Sequence, residues 1–290
     1  MSSEKEEEKD NNNDNTKKRS LSSTMTTTAS GEAEGVITPI TAEGEMPQKR
    51  FYRTRAHCNP LSHNDTFEYP THPKDMDWSV DHFLENKQPT VLDIGCGFGG
   101  LTVKLSTLLP EERILGMEIR AKVTEYVRLR LVALRKESKK KNETSTAYQN
   151  ASVMRTNSMK YLAQYCYPQS LSKVFFCFPD PHFKRKNYGR RIISERLLSE
   201  YAYFLKDYGR LYCITDVLEL HQWHIKKCND HPLFRKITTS DEKDDPCVEA
   251  MHTTTEESQK VQRSGGDKYY AVYERIPNSD VKPITAESFF

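Results

Sequence analysis

Thr90-Val91-Leu92-Asp93-Ile94-Gly95-Cys96-Gly97-Phe98-Gly99-Gly100 is the stretch that decides the fold of this chain. Its first five residues form a short apolar segment that predicts a buried strand, and a glycine-rich turn follows at once. Glycines permit positive φ angles and close approach of the backbone to a ligand. A helix is predicted next at Leu101–Leu109, where Pro110 ends the pattern. A strand, a glycine turn and a helix in this order are typical of nucleotide-binding α/β domains.

The alternation of strand and helix continues along the chain. Short apolar runs predict further strands, and longer periodic segments predict helices. The predicted strands are Ile114–Glu118, Ala151–Arg155, Lys173–Phe178 and Arg210–Thr215, and the predicted helices are Ala121–Lys141 and Arg191–Tyr208, the second ended by Gly209. Such alternation indicates an α/β fold with a doubly wound, mostly parallel sheet that has helices on both faces.

Glycines or polar residues follow soon after each predicted strand. They are Gly95–Gly100, Glu118, Asn157, Asp180 and Asp216. In an open parallel sheet, ligands bind outside the carboxyl ends of the strands, near the point where the strand order reverses. We therefore expect these residues to line one site.

The spacing of the glycines leaves two kinds of cofactor open. Gly95, Gly97 and Gly100 match G-x-G-x-x-G, which would suit a dinucleotide, with Glu118 accepting hydrogen bonds from ribose hydroxyls. Asp93 stands two residues before the first glycine, and the resulting D-x-G-x-G-x-G looks like the first motif of class I methyltransferases. No histidine or tyrosine–lysine pair stands out as a hydride-transfer candidate, which favours S-adenosylmethionine.

A second unusual stretch, Phe175–Lys186, runs from an apolar strand through Asp180 into three consecutive cations. Pro179 and Pro181 flank the aspartate. Each proline fixes its own φ and biases the preceding residue toward extended backbone, so we expect a stiff turn. The pattern predicts a carboxylate pointed at a reacting group, next to a place where phosphate can bind.

Basic segments suggest a nucleic-acid partner. Residues 184–191 contain no acidic residue, and we expect RNA phosphates to lie across their five cations, Lys184, Arg185, Lys186, Arg190 and Arg191. The helix at 121–141, counted from Arg120, carries nine basic and two acidic residues; it is a second RNA-binding face or merely a basic solvated one. Residues 49–55 interleave four cations with aromatics, which suits RNA or an arm that packs its aromatics on the core.

The first 46 residues differ in composition from the rest. They hold 10 acidic and 5 basic residues, which leaves 38 basic and 31 acidic residues in 47–290. Their low apolar content predicts a disordered tail over 1–46, followed by a single domain over 47–290. Within the tail, Lys17-Lys18-Arg19 is a candidate nuclear address.

Several other classes of protein are disfavoured. No run approaches 18 apolar residues, and the amino terminus is too acidic for a secretory signal. The seven cysteines are scattered without a C-x-x-C pair, so we expect reduced thiols rather than disulfides or zinc ligands. His221 and His224 lie three residues apart on a predicted helix, but no further ligands cluster nearby, so no metal site is expected.

Residues 48–277 as a whole resemble the catalytic subunit of the eukaryotic tRNA (guanine-N7)-methyltransferase family. The matching runs, in chain order, are Arg55-Ala56-His57 with Asn59-Pro60, Met76-Asp77-Trp78, Asp93–Gly97, Leu115–Arg120, Phe178–Lys184, Ile214–Val217 and Thr255–Glu257. So many unusual runs in one order are far more specific than a glycine turn. The resemblance implies a Rossmann-like class I fold that transfers a methyl group from S-adenosylmethionine to N7 of a guanine in the variable loop of tRNA.

The resemblance also implies roles for individual residues. Asp180 matches the family's catalytic position. The implied cofactor contacts are Gly95 at the methionine end, Glu118, Ile119 and Arg120 at the ribose and adenine edge, Asn157 and Ser158 around the adenine, Cys177 beneath the cofactor, and Thr255, Glu256 and Glu257 on a late loop that closes over the site. A WD-repeat propeller as non-catalytic partner in a heterodimer, and a nuclear location, are implied by the resemblance alone.

Two other functions stay open at this point. A non-catalytic RNA-binding subunit could keep the fold, but it would be expected to lose the glycine turn or Asp180, and the chain retains both. A small-molecule N-methyltransferase would not need the cations of 184–191.

Overall fold

The structure is a computed structural model that describes residues 41–55, 58–61, 69–80, 82–237 and 245–281. These residues fall in one compact unit, Thr38–Phe290. The candidate nuclear address at 17–19, and residues 1–40 of the predicted tail, lie outside the described residues. Residues 41–46 pack against the body: the Tyr52 hydroxyl donates to Thr41 Oγ1 at 3.2 Å, and Arg128 pairs with Glu43 at 3.3 Å. The packed part of the chain therefore begins before the predicted boundary at 46.

The strands form one sheet with a mixed edge. They are β1 (Val91–Ile94), β2 (Ile114–Glu118), β3 (Ala151–Arg155), β4 (Leu171–Cys177), β5 (Leu205–Thr215), β6 (Phe234–Lys236) and β7 (Tyr269–Arg275). Their order across the sheet is β3-β2-β1-β4-β5-β7-β6. Strands β1 to β5 pair in parallel, whereas β7 runs antiparallel to both β5 and β6. The predicted doubly wound, mostly parallel sheet is confirmed, and its strand order reverses between β1 and β4.

The helices cover the sheet, and their apolar sides form two cores. They are α1 (Gly100–Leu108), α2 (Ala121–Lys141), α3 (Ser158–Tyr161), α4 (Glu195–Phe204), α5 (Leu218–Asp230), α6 (Pro246–Thr253) and α7 (Glu256–Arg263). Phe175 and Phe176 are adjacent in β4 and fully buried, yet they belong to different clusters. Successive side chains of a strand point to opposite faces, so β4 is covered on both sides, as its unbroken apolar run predicts.

The junction of α4 and β5 differs from the prediction of one helix over Arg191–Tyr208. The helix ends at Phe204, because Leu205 already pairs with Leu171 of β4. The next ladder pair joins Lys173 to Arg210, so the intervening residues of β5 bulge out of register, with Tyr208 at a φ of 63°. Strand pairing therefore overrides the helical pattern, and the glycine expected to end the helix lies inside the strand.

In the described part of the chain, no helix combines the length and the apolar character that crossing a membrane requires. All seven cysteines are free thiols. Within the same described ranges, no three His, Cys, Asp or Glu side chains are grouped so that they could hold a metal ion.

Candidate active site

The carboxyl ends of the five parallel strands open on one cleft of about 570 Å³. Most of the residues expected to follow the strands and line one site do line it: residues 95–98 of the predicted glycine turn Gly95–Gly100, and Glu118, Asn157, Asp180 and Asp216. Gly99 and Gly100 are not part of the cleft lining. Its volume lies within the range of small-molecule and cofactor sites, roughly 300–1,000 Å³.

The glycine turn gives the cleft an exposed backbone wall. Gly95, Gly97 and Gly99 have φ angles of 74°, 54° and 74°, in the left-handed region that favours glycine. A Cβ on Gly95 would meet no atom within 4 Å, and one on Gly97 would meet only Arg120 Nη2, at 4.0 Å. A Cβ on Gly99 would approach Val127 of α2 to 2.7 Å. The first two glycines thus leave room for a ligand against the backbone, and the third allows α2 to pack.

Glu118, at the end of β2, presents a buried carboxylate that is already hydrogen bonded. It accepts from the backbone N–H groups of Gly97, Ile119 and Arg120 at 2.9–3.2 Å. It also accepts from Nε and Nη2 of the Arg120 side chain, at 3.0 and 2.9 Å. A ribose that reached this carboxylate, as predicted, would share it with the guanidinium of Arg120 or displace that group.

Asp93 is a second buried carboxyl in the cleft wall, 2 % exposed, and it accepts a hydrogen bond from the Thr102 hydroxyl at 2.7 Å. Burial raises its pKa to about 7, and the nearby carboxylates of Glu256 and Glu118 act in the same direction. A positively charged ligand in the cleft would favour the ionised form. The cleft is therefore suited to a ligand that carries a positive charge.

Asp180 lies half-buried in the cleft wall, on the loop that follows β4. Phe178 and His182, on either side of it, have φ angles of 51° and 46°. The sequence predicts extended backbone for Phe178 because it precedes a proline; that prediction is wrong. The amide of Phe178 still donates to the carbonyl of Ile214 in β5 at 2.8 Å. The chain must therefore make a sharp turn immediately after the strand ends. Non-glycine residues in this region cost about 1 kcal/mol or more each and cluster at functional sites.

The residues predicted around the adenine, and Cys177 predicted beneath the cofactor, also line the cleft. Asn157 caps α3: its Oδ1 accepts from the Met159 amide at 3.1 Å, and its Nδ2 donates to the Pro60 carbonyl at 2.6 Å. Ser158 is buried beside it, and Cys177 lines the cleft at the end of β4. Burial raises the pKa of the Cys177 thiol, which stays neutral.

Thr255, Glu256 and Glu257 line the cleft, but they start a helix and are not on a loop as predicted. The Thr255 hydroxyl accepts from the Ser258 amide at 3.0 Å and caps α7. Glu256 pairs with Lys49 at 2.7 Å, which ties the early segment of the chain to this helix. A Cβ on Gly100 would overlap the carbonyl oxygen of Thr254, so α1 and the start of α7 are in close contact.

The cations of 184–191 fall into two groups. Lys184, Arg185 and Lys186 are exposed at the start of a 3-10 helix over Arg185–Arg190, and Arg190 reaches the cleft. Arg191 differs: it is 1 % exposed and binds protein groups, so in this structure it does not face a phosphate as predicted. Cys58 and Pro60 also line the cleft, although no site role was predicted for them; Pro60 belongs to the Asn59-Pro60 run that contributes to the family resemblance.

This strand order, with a glycine turn after the first strand and a buried acid after the second, defines a class I S-adenosylmethionine-dependent methyltransferase. The open backbone at Gly95 and Gly97 and the buried carboxyls of Asp93 and Glu118 fit that cofactor, a positively charged nucleoside. The profile of a family described as "Putative methyltransferase" matches residues 87–271.

Curated relatives narrow the assignment. A Kluyveromyces lactis protein named tRNA (guanine-N(7)-)-methyltransferase is 49% identical over 244 residues, which cover 81% of this chain and 86% of that protein. A Schizosaccharomyces pombe protein of the same name is 48% identical over 240 residues, 81% of this chain and 88% of that protein. The chain therefore belongs to the tRNA (guanine-N7)-methyltransferase family. A solved geranyl diphosphate C-methyltransferase from Streptomyces coelicolor overlaps 65% of this chain and 73% of its own at a TM-score of 0.40 and 14% identity, too remote to add to this.

Proposed function

We propose that this chain transfers a methyl group from S-adenosylmethionine to N7 of a guanine in the variable loop of tRNA. The observation that carries the proposal is that the glycine turn, Asp180 and Arg190 line one cleft, while the exposed cations of 184–186 follow Asp180 closely in the chain. The names of the curated relatives support the reaction and the type of RNA.

Asp180 acts on the guanine as an acceptor and a counter-charge, not as a base. When bound, S-adenosylmethionine supplies a methyl group on a positively charged sulfur, and guanine N7 accepts it through a lone pair without losing a proton. The methylated ring carries a positive charge. A carboxylate at Asp180 that accepts from the ring N1–H and the exocyclic amine strengthens as this charge develops. Its main contribution is therefore orientation and charge stabilisation.

The test uses Asp180→Asn, which removes the charge and keeps the shape. The purified chain is incubated with labelled S-adenosylmethionine and bulk tRNA, and borohydride reduction followed by aniline cleavage reports N7-methylguanine. We expect cleavage in the variable loop, a loss of roughly 100-fold or more in rate for the variant, and retained cofactor binding. The matched control is Asp230→Asn, an exposed carboxylate paired with Lys226 on α5. Near-normal turnover by Asp180→Asn would contradict the assigned role.

The RNA lies across Lys184, Arg185, Lys186 and Arg190 in this proposal. Phe183, 64% exposed beside them, offers an aromatic ring on which a base can stack. Replacing Lys184, Arg185 and Lys186 together by alanine should weaken tRNA binding. The negative slope of log affinity against log salt should become shallower by about 2 to 3. The comparison variant removes three lysines at the end of α2, 139–141. Equal effects of the two variants would mean that 184–186 is not a special contact.

We also propose the WD-repeat partner and the nuclear location, for which the support is the family resemblance and, for the location, the Lys17-Lys18-Arg19 tripeptide. Co-expression with a candidate propeller followed by size-exclusion chromatography tests the heterodimer, and methylation assays with and without it show whether the chain is active alone. A fluorescent fusion in which residues 17–19 are alanine tests the address; unchanged localisation would contradict it.

The same assays separate the two rival functions. A non-catalytic RNA-binding subunit would bind tRNA and transfer no methyl group under either condition. A small-molecule N-methyltransferase would show activity that responds little to salt, because it would not depend on phosphate contacts.

A further inference from the structure

Arg191 is the exception among the cations that follow the loop at 178–182, which carries Asp180 and is here called the catalytic loop. Lys184, Arg185 and Lys186 are exposed, whereas Arg191 is among the largest fully buried side chains of the chain. A buried guanidinium is retained only where its donors are paired. The groups that pair with the Arg191 guanidinium therefore indicate the role of this residue.

The guanidinium is held in an aromatic and acidic cage. Its Cζ lies 3.7 Å from the centre of the Tyr188 ring and 4.8 Å from that of Trp223. Its Nη2 donates to Glu219 at 2.8 Å, and the Tyr188 hydroxyl donates to the same carboxylate oxygen at 2.8 Å. The hydrogen bond from Arg191, and to a smaller extent that from Tyr188, lowers the pKa of the Glu219 carboxyl, which stays ionised at neutral pH. A planar guanidinium can stack on the rings and donate hydrogen bonds in two directions at once, which the ammonium of lysine cannot do.

The remaining bond of this cage reaches the catalytic loop. Arg191 Nε donates to the backbone carbonyl of Pro181 at 2.9 Å, directly after Asp180. The loop contains two non-glycine residues in the left-handed region, Phe178 and His182. Such backbone persists only where its surroundings hold it in place. The bond to Pro181 is placed to hold the half of the loop that includes His182.

We propose that Arg191 is a positioning residue for the methyl transfer, which fixes Asp180 through the Pro181 carbonyl and makes no phosphate contact. The kinetic part of this inference rests on the proposed function, because it needs a methylation rate. The structural part, that Arg191 holds the loop, does not.

The deciding variant is Arg191→Lys, which keeps the charge but loses the fork and much of the stacking. We expect kcat to fall about tenfold or more, with KM for tRNA and the cofactor Kd within about twofold of wild type. The salt slope of tRNA binding should not change, since no phosphate contact is lost. Arg196→Lys is the matched control: Arg196 is an exposed arginine of α4 that pairs with Glu200, and the kcat of this variant should stay near that of wild type.

A phosphate ligand would give the opposite pattern. Lysine would then replace arginine with little loss of kcat, and Arg191→Met would raise KM and reduce the salt slope by about one. Either result would overturn the proposal. If Arg191→Lys does not fold, Glu219→Gln tests the same cage from its exposed side, and it should lower kcat without changing the cofactor Kd. Unchanged kcat in that variant would also overturn the proposal.

Hydrogen exchange separates failure of this inference from failure of the proposed function. If the wild-type chain does not methylate tRNA, the proposed function fails. The role of Arg191 in holding the loop can still be tested, because the amides of His182 and Phe183 should exchange faster in Arg191→Lys than in the control variant Arg196→Lys. Equal exchange rates in the two variants would show that Arg191 does not hold the loop.

Discussion

Asp93→Asn is the substitution whose effect can be worked out most fully from the structure. Asparagine can still accept the hydrogen bond from Thr102, so the change removes the charge and little else. The pKa of Asp93 is about 7 in the folded chain, against 3.8 as its ordinary value. The folded state therefore binds the proton more tightly, and the stability from this group is fully present below about pH 4 and is lost as the pH rises through 7.

The magnitude follows from the shift. At about 1.4 kcal/mol per pKa unit, the wild-type chain loses on the order of 3 kcal/mol of stability from this group between pH 5 and pH 8. The asparagine variant does not ionise and has no such loss. Urea unfolding at pH 5, 6, 7 and 8 should show the free energy of unfolding of Asp93→Asn rising relative to wild type by about that amount.

Cofactor binding provides a second readout of the same group. A cation in the cleft favours ionised Asp93, so the affinity of the wild-type chain for S-adenosylmethionine should increase from pH 6 to pH 8, and that of Asp93→Asn should change less. Calorimetry in two buffers of different ionisation enthalpy measures the proton released near pH 7. A stability difference between the two proteins that is the same at every pH would refute the raised pKa and the reasoning that follows from it.

Two further predictions concern the stability of the body. His224 is buried with neither ring nitrogen hydrogen bonded among the described residues, and burial lowers its pKa from 6.5 to about 3. Its contribution to stability is lost as the pH falls below 6.5, so urea unfolding of His224→Phe should show a gain over wild type that is larger at pH 5 than at pH 8 by roughly 2 kcal/mol. Gly100→Ala should lower stability by about 1–3 kcal/mol and weaken cofactor binding, because its Cβ overlaps the Thr254 carbonyl. Thermal unfolding with and without cofactor measures both effects, and Gly189→Ala, whose Cβ would meet nothing within 4 Å, is the control that should stay near wild type.

The parts of the fold that local sequence determines are the parts that could be predicted. The first four strands and the helix Ala121–Lys141 are continuous apolar or periodic segments, and they occur close to their predicted bounds. The end of α4 could not be read from its pattern, because Leu205 leaves the helix only to pair with Leu171, 34 positions earlier in the chain. The mixed edge, β6 and β7, was not predicted; β6 is only three residues long.

In the site, too, the features set by local sequence and strand order could be predicted, and those set by distant contacts could not. Strand ends brought Glu118 and Asp180 to one cleft as expected, since topology alone requires it. Arg191 could not be distinguished from the neighbouring cations, because its burial depends on Glu219 and Trp223, which lie on α5, beyond α4 and β5 in the chain. The left-handed Phe178 was also missed, since the proline rule predicts extended backbone there and the contacts at the end of β4 select another geometry.

The loop at 178–182, which carries Asp180, contains two left-handed residues but no glycine. A glycine at either position would adopt that geometry readily, and it would also allow many others. Two prolines and three side-chain-bearing residues restrict the unfolded loop instead, so little conformational entropy is lost when it folds. In the proposed reaction, the carboxylate is then in its working position before the substrate arrives. The RNA, and not the loop, must then change conformation for the reaction to occur. We expect the turnover rate to be higher for tRNAs in which the target guanine unstacks more readily.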